Sequence, residues 1–223
     1  MIRTVLFDLD GTFVDTAFDL IETANIVYTN NRKSPITYEV GREIASDGIN
    51  AFLKLRFNQE RDDFNLLSEE FLTTYKKQFL NNPLLFDGIE NLLLDLESKG
   101  VRWGIVTNKA RFFSEKILKY HQLTDRCSVL MCGDDEGFKS KPSPELLLEA
   151  CKLLDETVSD IIYVGDGHRD ILSAKSANIK SVLACYGYLK KSDLIEDWLS
   201  DFIIHSPLEV IDLDGLTFNN SLS

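Results

Sequence analysis

Short apolar runs rich in β-branched and aromatic residues recur at residues 4–7, 101–106, 129–132, 161–164 and 181–184, with a weaker sixth at 202–204. Helix-like stretches separate them at 88–98, 111–120, 144–154 and 170–177. Runs this short and this apolar suit strands buried on both faces. Strand–helix alternation with short connections builds a parallel sheet covered by helices on both sides. Gly100 sits where the first of these helices must stop before the second strand.

The stretch from Thr16 to Leu85 breaks that rhythm. Its apolar residues fall at helical spacing (Phe18, Ile21, Ala24 and Val27, then Ile49, Phe52, Leu53 and Leu55, then Phe71, Leu72, Tyr75 and Phe79), and no strand pattern interrupts them. Pro35 and Gly48 punctuate it and Asn81-Asn82-Pro83 closes it. The expected organisation is an α/β core made of residues 1–15 and 86–218, an all-helical insertion over 16–85 and a frayed tail over 219–223. A chain of 223 residues with 44% hydrophobic and 27% charged residues can bury such a core.

Four strand ends carry polar groups. Val5-Leu6-Phe7 runs into Asp8 and Asp10, followed by Gly11-Thr12. The run 103–106 ends at Thr107-Asn108. Lys141 precedes Pro142, and Val164-Gly165 leads into Asp166 and, four residues on, Asp170. In a parallel sheet these mouths share one edge, where open α/β folds place ligands. Carboxylates suit a hard cation such as Mg2+, while a hydroxyl, an amide and a lysine suit a phosphate. Phosphate monoesters hydrolyse very slowly unaided, and a carboxylate nucleophile beside a second, proton-shuttling carboxylate answers that difficulty.

These residues resemble the haloacid dehalogenase superfamily in its phosphatase branch. The family's motifs stand in order as Asp8-Leu9-Asp10-Gly11-Thr12, Thr107, Lys141-Pro142 and Gly165-Asp166 through Asp170. The resemblance implies a Rossmannoid parallel sheet with a helical cap of the first type (C1) inserted after the first motif. It makes Asp8 the nucleophile of an aspartyl-phosphate and Asp10 the general acid/base. Mg2+ would be held by Asp8, the Asp10 carbonyl and Asp166. Thr107, Asn108 and Lys141 would bind the phosphoryl group, with Asp170 behind the metal waters or Lys141. Dehalogenases of the superfamily lack the second aspartate, so Asp10 favours phosphoryl chemistry.

Gly104 to Lys109, Lys141 to Leu147 and Tyr186-Gly187-Tyr188 resemble the phosphoglycolate phosphatase-like group, which makes 2-phosphoglycolate the first expected substrate. Phe86-Asp87-Gly88 is equally similar to the N-acetylmuramic acid 6-phosphate phosphatases, and the core motifs also admit a phosphomutase. Ser46-Asp47-Gly48 departs from the Gly-Asn-Gly frequent in phosphoglycolate phosphatases. Arg42, Asp47 and Arg56 are the cap's candidate contacts to the leaving group.

A net charge of −12 disfavours nucleic acid and anionic membranes, leaving a small phosphate ester as the expected partner of a cytoplasmic monomer or weak homodimer. Cys127, Cys132, Cys151 and Cys185 have neither disulfide nor metal-ligand spacing. His168 reads as an exposed loop residue, because imidazole prefers softer metals than Mg2+. Ile211-Asp212-Leu213-Asp214-Gly215 repeats the first motif's spelling without its Thr and reads as the end of the last helix.

Overall fold

A computed structural model describes residues 1–81 and 83–218; Asn82 and the tail expected over 219–223 lie outside the described residues. The chain runs β1 (Thr4–Phe7), β2 (Val14–Asp15), α1 (Ala17–Asn30), α2 (Tyr38–Arg42), α3 (Ile49–Lys54), α4 (Phe64–Gln78) and β3 (Leu84–Leu85). It continues through α5 (Ile89–Ser98), β4 (Arg102–Val106), α6 (Arg111–Tyr120), β5 (Leu130–Met131), α7 (Glu145–Leu154), β6 (Ile161–Gly165), α8 (His168–Ser176), β7 (Lys180–Ala184) and β8 (Phe202–Ile204).

Six strands form one parallel sheet in the order β5-β4-β1-β6-β7-β8. The β1 register pairs Phe7 with Ile105 on one side and Val164 on the other, so the three central strands end level. The chain leaves β1, builds the β4 side and then crosses back to β6. That reversal makes the crevice beyond β1 a ligand-binding switch point.

Alternation along β1 divides the core. Val5 and Phe7 pack with Leu92, Leu93 and Leu96 of α5 and Ile117 of α6, while Leu6 packs with Leu146, Leu147 and Ala150 of α7 and Ala174 of α8. Phe13 bridges Phe7 and Trp103, with ring centroids at 5.6 and 5.5 Å. The helices between β2 and β3 bury their own cluster around Tyr28, Phe52, Phe71, Tyr75 and Phe79. Phe113 of α6 joins that cluster, its ring edge-on to Phe79 at 4.9 Å, and so docks the insertion on the sheet layer.

The sequence pattern shows no strand in the insertion's flanks, yet β2 and β3 pair antiparallel over Val14–Leu85 and Asp15–Leu84. Two-residue strands formed when the chain returns carry no alternation to read. Helix α8 starts at His168, two residues before the expected start, because Gly167 takes the N-cap and donates its N–H to Asp170 Oδ2 at 2.9 Å. His168 is therefore exposed on a helix's first turn rather than in a loop, its ring stacked on Trp198. The C-terminal near-copy of the first motif belongs to a 3-10 turn over Pro207–Asp212, with Gly215 at φ 74°. All four cysteines are free thiols, and burial pushes Cys132 up to about 12. Among the described residues no helix is long and apolar enough to cross a membrane.

Candidate active site

The level strand ends bring Asp8, Asp10, Thr107 and Asn108 together on the wall of a cavity of about 500 Å3, which the insertion closes with Ser46, Asp47, Gly48, Asn50, Ser68 and Tyr75. Asp8 is 4% exposed and takes the Leu9 N–H on Oδ1 at 2.7 Å. Gly11, at φ 85°, turns the chain sharply past this point. A Cβ there would strike the Asp166 carboxylate and the Tyr188 ring, so only glycine fits.

Lys141 is fully buried beneath the cavity. Its Nζ lies 2.8 Å from Asp8 Oδ1 and 2.6 Å from Asp170 Oδ1, and donates to the Tyr163 hydroxyl at 2.7 Å and the Val106 carbonyl at 3.1 Å. Asn108 spends its amide on the Lys141 backbone, donating to the carbonyl at 2.9 Å and accepting the N–H at 2.8 Å, so it positions the Lys141 loop. The Lys141–Pro142 peptide is cis. Asp170 combines two tasks, capping α8 and pairing with Lys141.

Oxygens of Asp8, Asp166 and Asp170 lie within 4.8 Å of one another, all three residues buried. Burial raises the pKa of Asp8, with Asp170 adding to the rise and Lys141 opposing it. Burial also works against the Asp170 charge, but Lys141 and Arg169 hold its pKa below the usual range. For Asp166, burial and then the charges of Asp170 and Asp8 push the value up to about 7. Three carboxylates buried together, where burial first and mutual repulsion second raise a pKa this far, fit a divalent cation, and their all-oxygen donor set fits Mg2+. The Asp10 side chain stands apart from this cluster, taking the Thr16 hydroxyl at 2.6 Å and Lys109 Nζ at 3.0 Å.

A pH dependence of metal binding follows. The raised Asp166 pKa favours the metal-free fold while the group stays protonated. That contribution is complete below about pH 4 and is lost as pH climbs through about 7, at a cost on the order of 4 kcal/mol. Mg2+ binding at pH 6 should therefore release a proton and be weaker than at pH 8. Calorimetry in two buffers of different ionisation enthalpy reads both effects, and a pH-independent affinity would count against a cation at Asp166.

Several site residues were not singled out from the sequence. Lys109, two positions past Thr107 at the same strand mouth, reaches both Asp10 oxygens at 3.0 Å and the Tyr75 hydroxyl of α4 at 2.9 Å. Burial alone would lower its pKa, but Asp10 and Tyr75 more than offset that and raise it. Ser46 of the insertion donates to Asp166 Oδ2 at 2.8 Å, and the same oxygen accepts the Tyr188 N–H at 2.8 Å. The Tyr188 phenol accepts the Thr16 and Ala17 N–H groups at 2.7 and 2.9 Å and donates to Asp15 at 2.7 Å. Arg169, inside the fourth motif, also lines the cavity. Strand-end position flags Lys109 and the fourth motif flags Arg169, whereas Ser46 reaches the site only through the docked insertion.

The cap candidates separate. Asp47 lines the cavity and is held by Lys190 at 2.6 Å. Arg42 instead donates to the Tyr186 carbonyl at 3.0 Å and lies over the Tyr188 ring. Arg56 turns to the Ser34 carbonyl at 2.8 Å, and neither arginine lines the cavity.

A parallel sheet with a helical insertion after its first strand, and acids gathered at its strand ends, defines a class of hydrolase. The family model for haloacid dehalogenase-like hydrolases matches residues 5–184, and the chain belongs to that family. It is 35% identical over 211 residues to an N-acetylmuramic acid 6-phosphate phosphatase of Pseudomonas putida, the match covering 94% of each chain. A phosphoglycolate phosphatase of Xylella fastidiosa is 37% identical over 206 residues, covering 92% of this chain and 90% of the relative. A solved haloacid dehalogenase-like family hydrolase from Streptococcus pneumoniae shares the fold, with a TM-score of 0.83 at 20% identity over 95% of this chain and 97% of that one.

Proposed function

We propose that the protein is a Mg2+-dependent phosphomonoesterase acting on a small organic phosphate through an aspartyl-phosphate on Asp8. One observation carries this reading. The two acids of the first motif have separate partners, Asp8 sitting over Lys141 and Asp10 being held by Thr16 and Lys109. Two carboxylates in distinct settings suit distinct tasks.

In this scheme an Asp8 oxygen bonds to phosphorus as the bond to the leaving oxygen breaks, and Asp10 delivers a proton to that oxygen. Asp10 then takes a proton from water, whose oxygen attacks phosphorus and frees Asp8. Lys141 holds the nucleophile in place, and Thr107 faces the transferring group from the next strand end. Asp8, Asp166 and the Asp10 carbonyl would hold Mg2+, with Asp170 behind them. The bound cation would neutralise phosphoryl charge that a chain of net −12 otherwise repels. The helical insertion, residues 16–85 in this reading, serves as the cap that excludes water.

Two substrates come from the relatives' names, 2-phosphoglycolate and N-acetylmuramic acid 6-phosphate. The second is favoured by the cavity itself. About 500 Å3, lined by Ser46, Asn50 and Ser68 as well as Ile49 and Phe71, is more room than a two-carbon acid fills. The test is phosphate release from a panel containing both esters, with and without EDTA. EDTA should abolish turnover and excess Mg2+ should restore it. 31P NMR separates free phosphate from an isomerised ester, the product a phosphomutase would leave. Metal-independent turnover would falsify the mechanism.

A further inference from the structure

The positive charges around the cavity are not equally available. Lys141 directs its ammonium at Asp8, Asp170, Tyr163 and the Val106 carbonyl, more partners than it has protons. Lys109 is committed to Asp10 and Tyr75. Arg169 differs. Its Nε is buried with no hydrogen-bond partner, and its guanidinium forms no ion pair among the described residues. It nevertheless lines the cavity, one residue before Asp170, and feels the charges of Asp170, Asp8, Asp166 and, across the cleft, Asp47.

Buried donors in folded proteins are almost always satisfied, and an exception calls for a reason. Were Arg169 present only to balance the acids, the stable arrangement would be a fork on one of them, and none has formed. Asp170 is taken by Lys141 and the α8 cap, Asp166 by Ser46 and Tyr188, and Asp47 by Lys190. The planar guanidinium is left facing the space the substrate would enter.

We propose that Arg169 is the substrate's oxyanion receptor, closing its fork on two oxygens of one anionic group. The inference rests on the phosphatase reading and adds to it a specificity residue outside the assigned set. Two parts of a substrate present that chemistry, the phosphoryl group and a carboxylate on the leaving alcohol. Both glycolate and the lactyl arm of N-acetylmuramic acid supply the latter. Arg169 shares the cavity wall with Asp8 and Asp47 and lies within electrostatic reach of both the acid cluster and the insertion.

The experiment compares the wild-type chain with Arg169→Gln and Arg169→Lys, titrated calorimetrically with inorganic phosphate and with glycolate in the presence of Mg2+. The Gln variant should lose about tenfold or more in affinity for one of them, the usual size of a charge-assisted contact. A loss confined to phosphate places the fork on the phosphoryl group, and a loss confined to glycolate places it on the leaving group. Lysine keeps the charge without the fork and should recover only part of the affinity. Arg169 makes no hydrogen bond that holds the fold, but its charge helps keep Asp170 ionised, so the Gln variant should melt somewhat lower and the Lys variant, which keeps the charge, near wild type; if Gln unfolds the chain, the Lys variant carries the test. Wild-type protein that binds neither anion, a Gln variant that binds both unchanged, or full recovery by Lys overturns the assignment. Failure of every phosphate ester to turn over would instead strike the phosphatase reading, and the titrations would still judge Arg169.

Discussion

Asp8→Asn should abolish turnover, lowering kcat by on the order of 10⁴-fold or more, while leaving the chain folded. Asparagine keeps the shape and can still accept the Leu9 N–H, but it cannot form the acyl phosphate. Lys141 retains Asp170, Tyr163 and the Val106 carbonyl, so no buried cation is stranded. Burial already disfavours the Asp8 charge, and the metal-free variant should melt within a few degrees of wild type. Acid-quenched protein incubated with labelled substrate provides the second readout. Label should be trapped on the wild-type chain and absent from the variant. Retained activity in Asp8→Asn would remove the covalent mechanism altogether.

Lys141→Met should damage stability as well as activity. The side chain is fully buried, and its loss leaves Asp8 and Asp170 facing each other without the ammonium that pairs with both, next to Asp166. Breaking a buried ion pair from one side costs about 3–5 kcal/mol, which lowers the melting temperature of a chain this size by roughly 10 °C. The deficit carries a pH signature. Without Lys141 the already raised Asp8 pKa rises further and the Asp170 pKa climbs from its lowered position, so the loss is smaller at pH 5, where protonation is nearer, and grows toward pH 8. Adding Asp170→Asn to Lys141→Met should recover part of the stability but none of the activity. Thermal scans at both pH values check the pattern, and equal losses at pH 5 and 8 would mean that packing rather than charge is responsible.

The sheet was readable because its strands are short, apolar on both faces and bounded by turns, and because each of the central ones ends in a polar residue. Phe7-Asp8, Val106-Thr107 and Gly165-Asp166 are local transitions, and parallel register carries them to one edge. The partners of those residues were less readable. Asn108 is expected beside Thr107 and Lys141 at the phosphoryl group, and the pattern gives no sign that its amide ties the backbone of Lys141, 33 residues away. Ser46 and Tyr75 reach the site only through the docking of the insertion, which rests on tertiary contacts such as Phe79 against Phe113. Helical periodicity identifies such faces but not what they meet. Arg42 and Arg56 illustrate the converse: charge and location within the insertion made them candidates, and backbone carbonyls claimed them.

Tyr188 has a consequence for how the two layers communicate. Its phenol gathers the backbone at the root of α1, and its own N–H ends on Asp166. One rigid ring therefore gears the entry to the insertion to an acid at the strand ends. Any displacement of α1 at that root would have to be taken up by the loop that carries the Asp166 contact.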